Sequence, residues 1–434
     1  IMKFITIIPI LIVLIEGTSE VNPFTYCLDQ SVPCPTGCGQ DYAWIDDLED
    51  AETIDLNFDW IQTFLDQKIE ELGSPSAGIV VEFRGKRVAS IFSGKTRLNA
   101  STPTKPDDNS VFQIASITKT FATTTLFQMR DRGLLPMGLD TPVNELLPEF
   151  SIRSPYPSKR RITLRSLAMQ TSGLPREIPH YEPDPKNASE TERRVLNAVK
   201  NLTVLSSMYM SPHYSNLGLA LLGRAIEKVT NNTWEHYLQE NILKPLKMTS
   251  TGNPEDFTND IRSRVIDGVA VPNASVPVDI SETNSWGGAC GSMHSSFNDM
   301  SIWMNFLSDE GDDNDKELFA KILDPATRAE MRNTGYVMGD SISAVSSGVF
   351  ERAYMQNRWT ENKLGCVEGY RSDLTLVSSL GLNVFGMTTS TCDLCVLSLS
   401  LSHTHTHPHP PTHICKNSTD TVMVTQSCFL LFHV

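Results

Sequence analysis

The sequence is short of basic residues. Lys and Arg total 36 against 51 Asp and Glu, a formal net charge of −15. This deficit removes the broad cationic face that binding to a phosphate backbone needs, so we expect no nucleic acid partner. The 434 residues are 40% hydrophobic and 20% charged, which is enough to bury a large core in one domain or two.

The N-terminal apolar run, Phe4 to Ile15, is too short to cross a bilayer, which takes roughly 20 residues. It follows Lys3 and precedes Gly17-Thr18-Ser19, the pattern of a secretory signal peptide. We therefore predict that residues 1–19 are a signal peptide and that the protein is secreted. The alternative is a membrane anchor that stays uncleaved. N-glycosylation sequons agree with secretion; they begin at Asn99, Asn187, Asn201, Asn231 and Asn273.

Cysteines are scarce in the central part of the chain, since only Cys290 and Cys366 of the nine lie there. The others lie in a Cys/Pro-containing segment, predicted as residues 20–56, or in the tail, predicted as residues 391–434. The tail alternates Leu with Ser and then His with Thr, which we interpret as translated non-coding repeat DNA. The alternative is a His-rich metal-binding tract, but acidic or Cys partners at ligand spacing do not accompany it. We predict no metal site.

Hydrophobic periodicity predicts one domain over residues 57–390. An amphipathic helix begins near Phe58, and an apolar hairpin follows. Helical patterns then dominate up to about residue 285, and two strand-like runs come last. The predicted helices and strands are Ala77–Phe83, Val88–Phe92, Ser116–Arg132, Asn216–Val229, Thr233–Leu243, Leu374–Val377 and Leu382–Met387. This order predicts an α+β fold: an antiparallel sheet flanked by helices and built from both chain ends, with a helical domain inserted over about 116–285.

Ser116 and Lys119 open the first long helical pattern and lie one turn apart on the same face. A serine hydroxyl is a weak nucleophile until a nearby group takes its proton, and a desolvated lysine can do so. The first turn of a helix also leaves backbone N–H groups free for an oxyanion. The alternative is a capping serine beside a solvated lysine.

Two further polar groups stand before predicted elements. Tyr214 and Asn216 stand at the predicted start of a helix. There a tyrosine can move protons and an asparagine can hold a lysine or a substrate amide; a plain helix cap is the alternative. Lys363, Gly365 and Cys366 precede the final strands. There a lysine can bind a substrate carboxylate and a glycine lets the substrate approach the backbone, whereas an ordinary turn is the alternative.

Ser-x-x-Lys, Tyr-x-Asn and Lys-x-Gly-x-x-x-Gly-aromatic, in this order before two final strands, resemble the serine β-lactamase and penicillin-binding protein family, closest to its class C and esterase branch. Supporting stretches are Gly133-Leu134-Leu135, Thr171-Ser172-Gly173-Leu174-Pro175 and Pro245-Leu246-Lys247-Met248. The resemblance covers the chain from about Phe58 to Ser390. Within this family, the sequence is similar to the secreted animal beta-lactamase-like 1 group.

The resemblance implies a β-lactamase/transpeptidase-like fold and a role for each motif residue. Ser116 would be the acylated nucleophile, Lys119 its activating amine and Tyr214 the base. Asn216 would bind the substrate amide and Lys363 its carboxylate. The oxyanion hole would be formed by the backbone N–H groups of Ser116 and Cys366. Neither a metal nor an organic cofactor is implied.

The third motif departs from the family pattern because Leu364 lacks a hydroxyl and Cys366 replaces a small residue. This change affects β-lactam hydrolysis more than acyl transfer itself. We therefore predict a secreted serine hydrolase that cleaves an amide or ester of a small-molecule or peptide substrate through an acyl-enzyme at Ser116. The alternative is a catalytically silent relative used for binding or self-assembly. The motifs predict no particular oligomeric state.

Overall fold

A computed structural model describes residues 59–71, 73–102, 104–156, 160–180, 187–270, 276–278, 286–355 and 358–389. The predicted signal peptide, the Cys/Pro-containing segment and the His-Thr tail lie outside the described residues. In the described part of the chain, none of the helices has the length and apolar character needed to span a bilayer.

One antiparallel sheet of eight strands forms the framework, in the order β2-β1-β10-β9-β8-β7-β6-β5. Strand β1 of the first hairpin pairs with the last strand, β10, and in this register Ile79 lies opposite Gly386. The prediction of an antiparallel sheet built from both chain ends is therefore confirmed. The strands are β1 (Ser76–Phe83), β2 (Lys86–Gly94), β5 (Thr334–Val337), β6 (Ser343–Ser346), β7 (Glu351–Met355), β8 (Arg358–Val367), β9 (Tyr370–Val377) and β10 (Leu382–Thr388), with β3 (Val111–Gln113) and β4 (His294–Ser296) paired separately.

Helices are the main regular secondary structure of the described chain between β2 and β5. The α-helices of the described residues are α1 (Asp59–Glu71), α2 (Thr118–Asp131), α3 (Val143–Leu146), α4 (Leu164–Ala168), α5 (Ala188–Val199), α6 (Asn216–Thr230), α7 (Trp234–Leu238), α8 (Asn259–Ser263), α9 (Phe297–Ser308), α10 (Asp313–Ile322) and α11 (Pro325–Arg332). The predicted helix over Thr233–Leu243 is divided. Its α-helical part ends at Leu238, and a π-helical turn, Gln239–Leu243, precedes Pro245.

Two hydrophobic clusters lie on the sheet. Ile61 and Leu65 of α1 pack with residues of β1, β2 and β10, such as Ile79 and Val384. The larger cluster surrounds α2, whose residues from Thr118 to Met129 are all buried. A helix buried on every side is held firmly by its neighbours. This packing gives a rigid support to the residues at its N-terminal end.

Capping and chain breaks determine the limits of the helices that carry the predicted site. Gly133 follows α2 with φ 67°, the left-handed conformation that glycine adopts without strain. The hydroxyl of Ser215 accepts a hydrogen bond from the backbone N–H of Gly218 and so caps α6. Asn231 ends that helix in the left-handed region, with φ 51°. Asn216, predicted to start the helix, is therefore its first residue.

Candidate active site

Ser116 lies in a 3-10 turn, Ala115–Ile117, directly before α2, and its side chain is partly exposed. The preceding residue, Ala115, has φ 47°, which costs a non-glycine residue conformational energy. Strand β8 touches this turn at Gly365, where an added Cβ would lie 2.3 Å from the carbonyl oxygen of Ile114 and 2.2 Å from Oγ of Ser372. Because only glycine fits there, β8 passes in direct contact with the turn that carries Ser116.

Lys119 is fully buried, and its ammonium has three acceptors. The Nζ atom donates to Oγ of Ser116 at 2.9 Å, to Oδ1 of Asn216 at 2.8 Å and to the carbonyl oxygen of Cys290 at 2.6 Å. A lysine ammonium has three N–H groups and no acceptor, so all of its donors are used. It follows that Ser116 Oγ accepts from Lys119 and keeps its own hydrogen for another partner.

Tyr214 supplies that partner, since its hydroxyl oxygen lies 2.6 Å from Ser116 Oγ. The Nζ atoms of Lys119 and Lys363 lie 4.8 Å and 5.3 Å from the centroid of its ring. Burial raises the pKa of the Tyr214 phenol, but the charges of Lys119 and Lys363 outweigh burial and hold the pKa below its usual value. The hydrogen bond with Ser116 acts in the same direction. The Tyr214 phenolate therefore forms at a lower pH than that of free tyrosine.

Asn216 lies between two charged side chains. Its Oδ1 accepts from Lys119, and its Nδ2 donates to Oε2 of Glu177 at 2.9 Å. Glu177 also accepts from Nε of Arg176 at 2.8 Å, and the Arg176 guanidinium lies 4.9 Å from the Tyr214 ring centroid. Arg176 and Glu177 are absent from the predicted site. The sequence signal that could have found them is their place immediately after the Ser172–Pro175 stretch.

Lys363 comes from β8 and is 1% exposed. Its Nζ lies 3.0 Å from Oε1 of Glu351, the first residue of β7. Burial lowers the pKa of Lys363, but Glu351 and Tyr214 outweigh burial and raise it, so the amine is charged. The lysine therefore already has a protein carboxylate as its partner. The sequence analysis missed Glu351 because no motif includes it.

The two cysteines of the described residues differ in state. Cys366 follows Gly365 on β8, is exposed and is disulfide-bonded. It therefore has no thiolate to offer. Cys290 is free, and burial raises the pKa of its thiol. Its contribution to the site is the backbone carbonyl that binds Lys119, which residue-type patterns cannot reveal.

The structure therefore brings Ser116, Lys119, Tyr214 and Asn216 into one hydrogen-bonded group, with Lys363 over the Tyr214 ring. The sequence model of the Beta-lactamase family matches residues 61–387, which is more than half of the chain. The chain belongs to the Beta-lactamase family. The family resemblance inferred from the three motifs is confirmed, and so is the predicted fold class.

Named relatives and solved structures agree with this family. The chain is 33% identical over 291 residues to Beta-lactamase-like protein 2 of Dictyostelium discoideum, covering 66% of this chain and 50% of that protein. It is 29% identical over 177 residues to Putative beta-lactamase-like 1 of Homo sapiens, covering 39% of this chain and 34% of that protein. The chain thus spans about half the length of Beta-lactamase-like protein 2.

A class C β-lactamase from Rhodobacter sphaeroides has the same fold. It superposes with a TM-score of 0.62 at 19% identity, covering 76% of this chain and 94% of that structure. At this identity the likeness concerns the fold alone.

Proposed function

We propose that this protein is a serine hydrolase that cleaves an amide or ester through an acyl-enzyme at Ser116. The observation that carries the proposal is the position of Ser116 Oγ, 2.9 Å from Lys119 Nζ and 2.6 Å from Tyr214 OH. Lys119 donates a hydrogen bond to the hydroxyl oxygen, and Tyr214 can accept the hydroxyl proton. This is the arrangement that an activated serine needs.

In the proposed acylation, Tyr214 in its phenolate form takes the hydroxyl proton of Ser116. The Oγ atom forms a bond to the carbonyl carbon of the substrate, and the carbonyl oxygen becomes an oxyanion. When the bond to the leaving group breaks, Tyr214 returns the proton to the departing nitrogen or oxygen. Water then attacks the carbonyl carbon of the acyl-enzyme ester and gives one proton to Tyr214. As the bond between that carbon and Ser116 Oγ breaks, Tyr214 passes the proton to Oγ, which restores the Ser116 hydroxyl and releases the carboxylic acid.

Lys119 acts in this scheme as a fixed cation. Because its three N–H groups already have acceptors, it keeps Tyr214 acidic and orients Ser116 instead of taking the proton itself. The oxyanion is proposed to bind the backbone N–H groups of Ser116 and Cys366. The close approach of Gly365 to the Ser116 turn supports this assignment. Asn216 is proposed to bind a substrate amide.

One observation favours the alternative, a catalytically silent protein used for binding: Glu351 occupies the lysine expected to bind substrate. Labelling separates the two functions. A fluorophosphonate or penicillin probe should label the wild-type protein and leave Ser116→Ala unlabelled. Ser263→Ala, which changes an exposed serine of α8, is the matched control and should label like the wild type. Equal labelling of wild type and Ser116→Ala, or none in either, contradicts the proposal.

We also propose that the protein is secreted and N-glycosylated. Of the sequon asparagines, Asn99, Asn187, Asn201 and Asn231 are described by the structure, and each is exposed. An acceptor must be exposed for a glycan to fit. Protein collected from the culture medium of eukaryotic cells should therefore gain mobility after treatment with a peptide N-glycosidase. Protein found only inside the cells, with unchanged mobility, would contradict the proposal.

A further inference from the structure

The contact between Lys363 and Glu351 gives the site a charge pattern of its own. Lys363 is 1% exposed, whereas the side chain of Glu351 is 39% exposed and lies 3.0 Å from the ammonium. The carboxylate is thus the more accessible member of the pair. An anion that approaches Lys363 meets a neutralised charge and an exposed carboxylate oxygen.

The other cations around Tyr214 also have protein partners. Lys119 donates to Ser116, Asn216 and the Cys290 carbonyl. Arg176 contacts Glu177 at 2.8 Å.

Glu177 adds a second carboxylate, held by Arg176, whose guanidinium lies 4.9 Å from the Tyr214 ring centroid. The Glu177 side chain is 63% exposed and is held by Asn216 Nδ2 at 2.9 Å. The side chains linked to Ser116 and Tyr214 thus include two exposed carboxylates, Glu177 and Glu351.

From this geometry we propose that Glu351 is a specificity-determining residue. It neutralises Lys363, so that the site takes amides and esters whose leaving group is neutral or cationic and disfavours those that carry a carboxylate. The inference rests on the proposed function and deepens it. It revises the role in binding a substrate carboxylate that the family resemblance implies for Lys363.

Two esters of phenylacetic acid test this inference, one with 3-hydroxybenzoate and one with 3-hydroxybenzamide as the leaving group. They differ in one charge and share one acyl group. The wild-type protein should hydrolyse the carboxamide ester with the higher kcat/KM. Glu351→Gln removes the charge and keeps the size, so it should shift the ratio of the two kcat/KM values toward the carboxylate ester by about tenfold or more.

Two variants serve as controls for the charge change. Glu351→Asp keeps the charge and should keep the wild-type preference. Glu317→Gln removes an exposed carboxylate from α10, so it lowers the net negative charge equally and should leave the ratio unchanged. The inference is overturned if the wild type prefers the carboxylate ester, or if Glu351→Gln gives the wild-type ratio while melting at a similar temperature.

The failure of the proposed function is a separate outcome. If neither ester is hydrolysed faster by the wild type than by Ser116→Ala, the hydrolase proposal fails, and binding of the intact esters decides the inference. Their dissociation constants are compared between Ser116→Ala and the double variant Ser116→Ala/Glu351→Gln. A gain of about tenfold for the carboxylate ester relative to the carboxamide ester supports the charge selection by Glu351. An unchanged ratio overturns it.

Discussion

Replacement of Tyr214 by phenylalanine is expected to slow acylation of Ser116 by about 10²–10⁴-fold, the usual contribution of a positioned general base. The phenol oxygen lies 2.6 Å from Ser116 Oγ, and the change removes this atom while keeping the ring near Lys119 and Lys363. The loss corresponds to about 3–5 kcal/mol of transition-state stabilisation. The melting temperature should change little, because the apolar packing of the ring remains.

The pH profile makes this prediction specific. Because the charges of Lys119 and Lys363 hold the pKa of Tyr214 below its usual value, the wild-type kcat/KM should fall as the pH drops through that lowered pKa and the phenolate is protonated. Tyr214→Phe should lose this acidic limb. The assay is stopped-flow acylation by a chromogenic ester across the pH range in which the protein is folded.

Tyr209→Phe is the control for removal of a tyrosine hydroxyl near the same segment. The Tyr209 hydroxyl lies 3.2 Å from Oγ1 of Thr163, so its loss should leave both the rate and the pH profile unchanged. The reasoning is refuted if Tyr214→Phe retains more than about a third of the wild-type rate, or if it keeps the acidic limb, since a general base supplies far more than that factor.

Two further predictions concern stability. Gly365→Ala should lower the free energy of unfolding by about 1–3 kcal/mol and reduce hydrolysis, because the added Cβ would lie within 2.3 Å of atoms of Ile114 and Ser372. Gly339→Ala is the control, since nothing lies within 4 Å of its added Cβ, and it should do neither. Equal urea midpoints for the two variants would contradict this prediction. Burial lowers the pKa of His294 to about 3. In the unfolded chain a histidine has a pKa near 6.5 and binds the proton more readily, so the free energy of unfolding should fall by about 1.4 kcal/mol per pH unit as the pH drops from about 6.5 to 3. His294→Leu should flatten this pH dependence in urea titrations. An unchanged slope would refute the prediction.

The parts of the site that could be predicted are those that one element or one motif holds together. Ser116 and Lys119 share a helical face by their spacing alone. Tyr214 and Asn216 stand at a helix start marked by Ser215. The outer hairpin and the last strands were also predictable, because buried apolar residues recur along them.

The rest depends on contacts between distant parts of the chain. Glu351 reaches Lys363 from the next strand, and Cys290 reaches Lys119 through a backbone carbonyl. Neither contact follows from residue type or spacing. Strands β5–β7 were missed because they are short and, at β5, alternately half-buried and exposed. Helix α11 was missed although Asp324 and Pro325 form a recognisable start, a cap followed by proline at the first turn.

The most direct test of the account is to locate the covalent intermediate. The protein is mixed with the phenylacetyl ester of 3-hydroxybenzamide, quenched in acid within the first turnover and digested for mass spectrometry. The account predicts a phenylacetyl adduct on Ser116 in the wild type and in Ser263→Ala, and none in Ser116→Ala. Ester hydrolysis that proceeds without an adduct, or an adduct on a different residue, would contradict it.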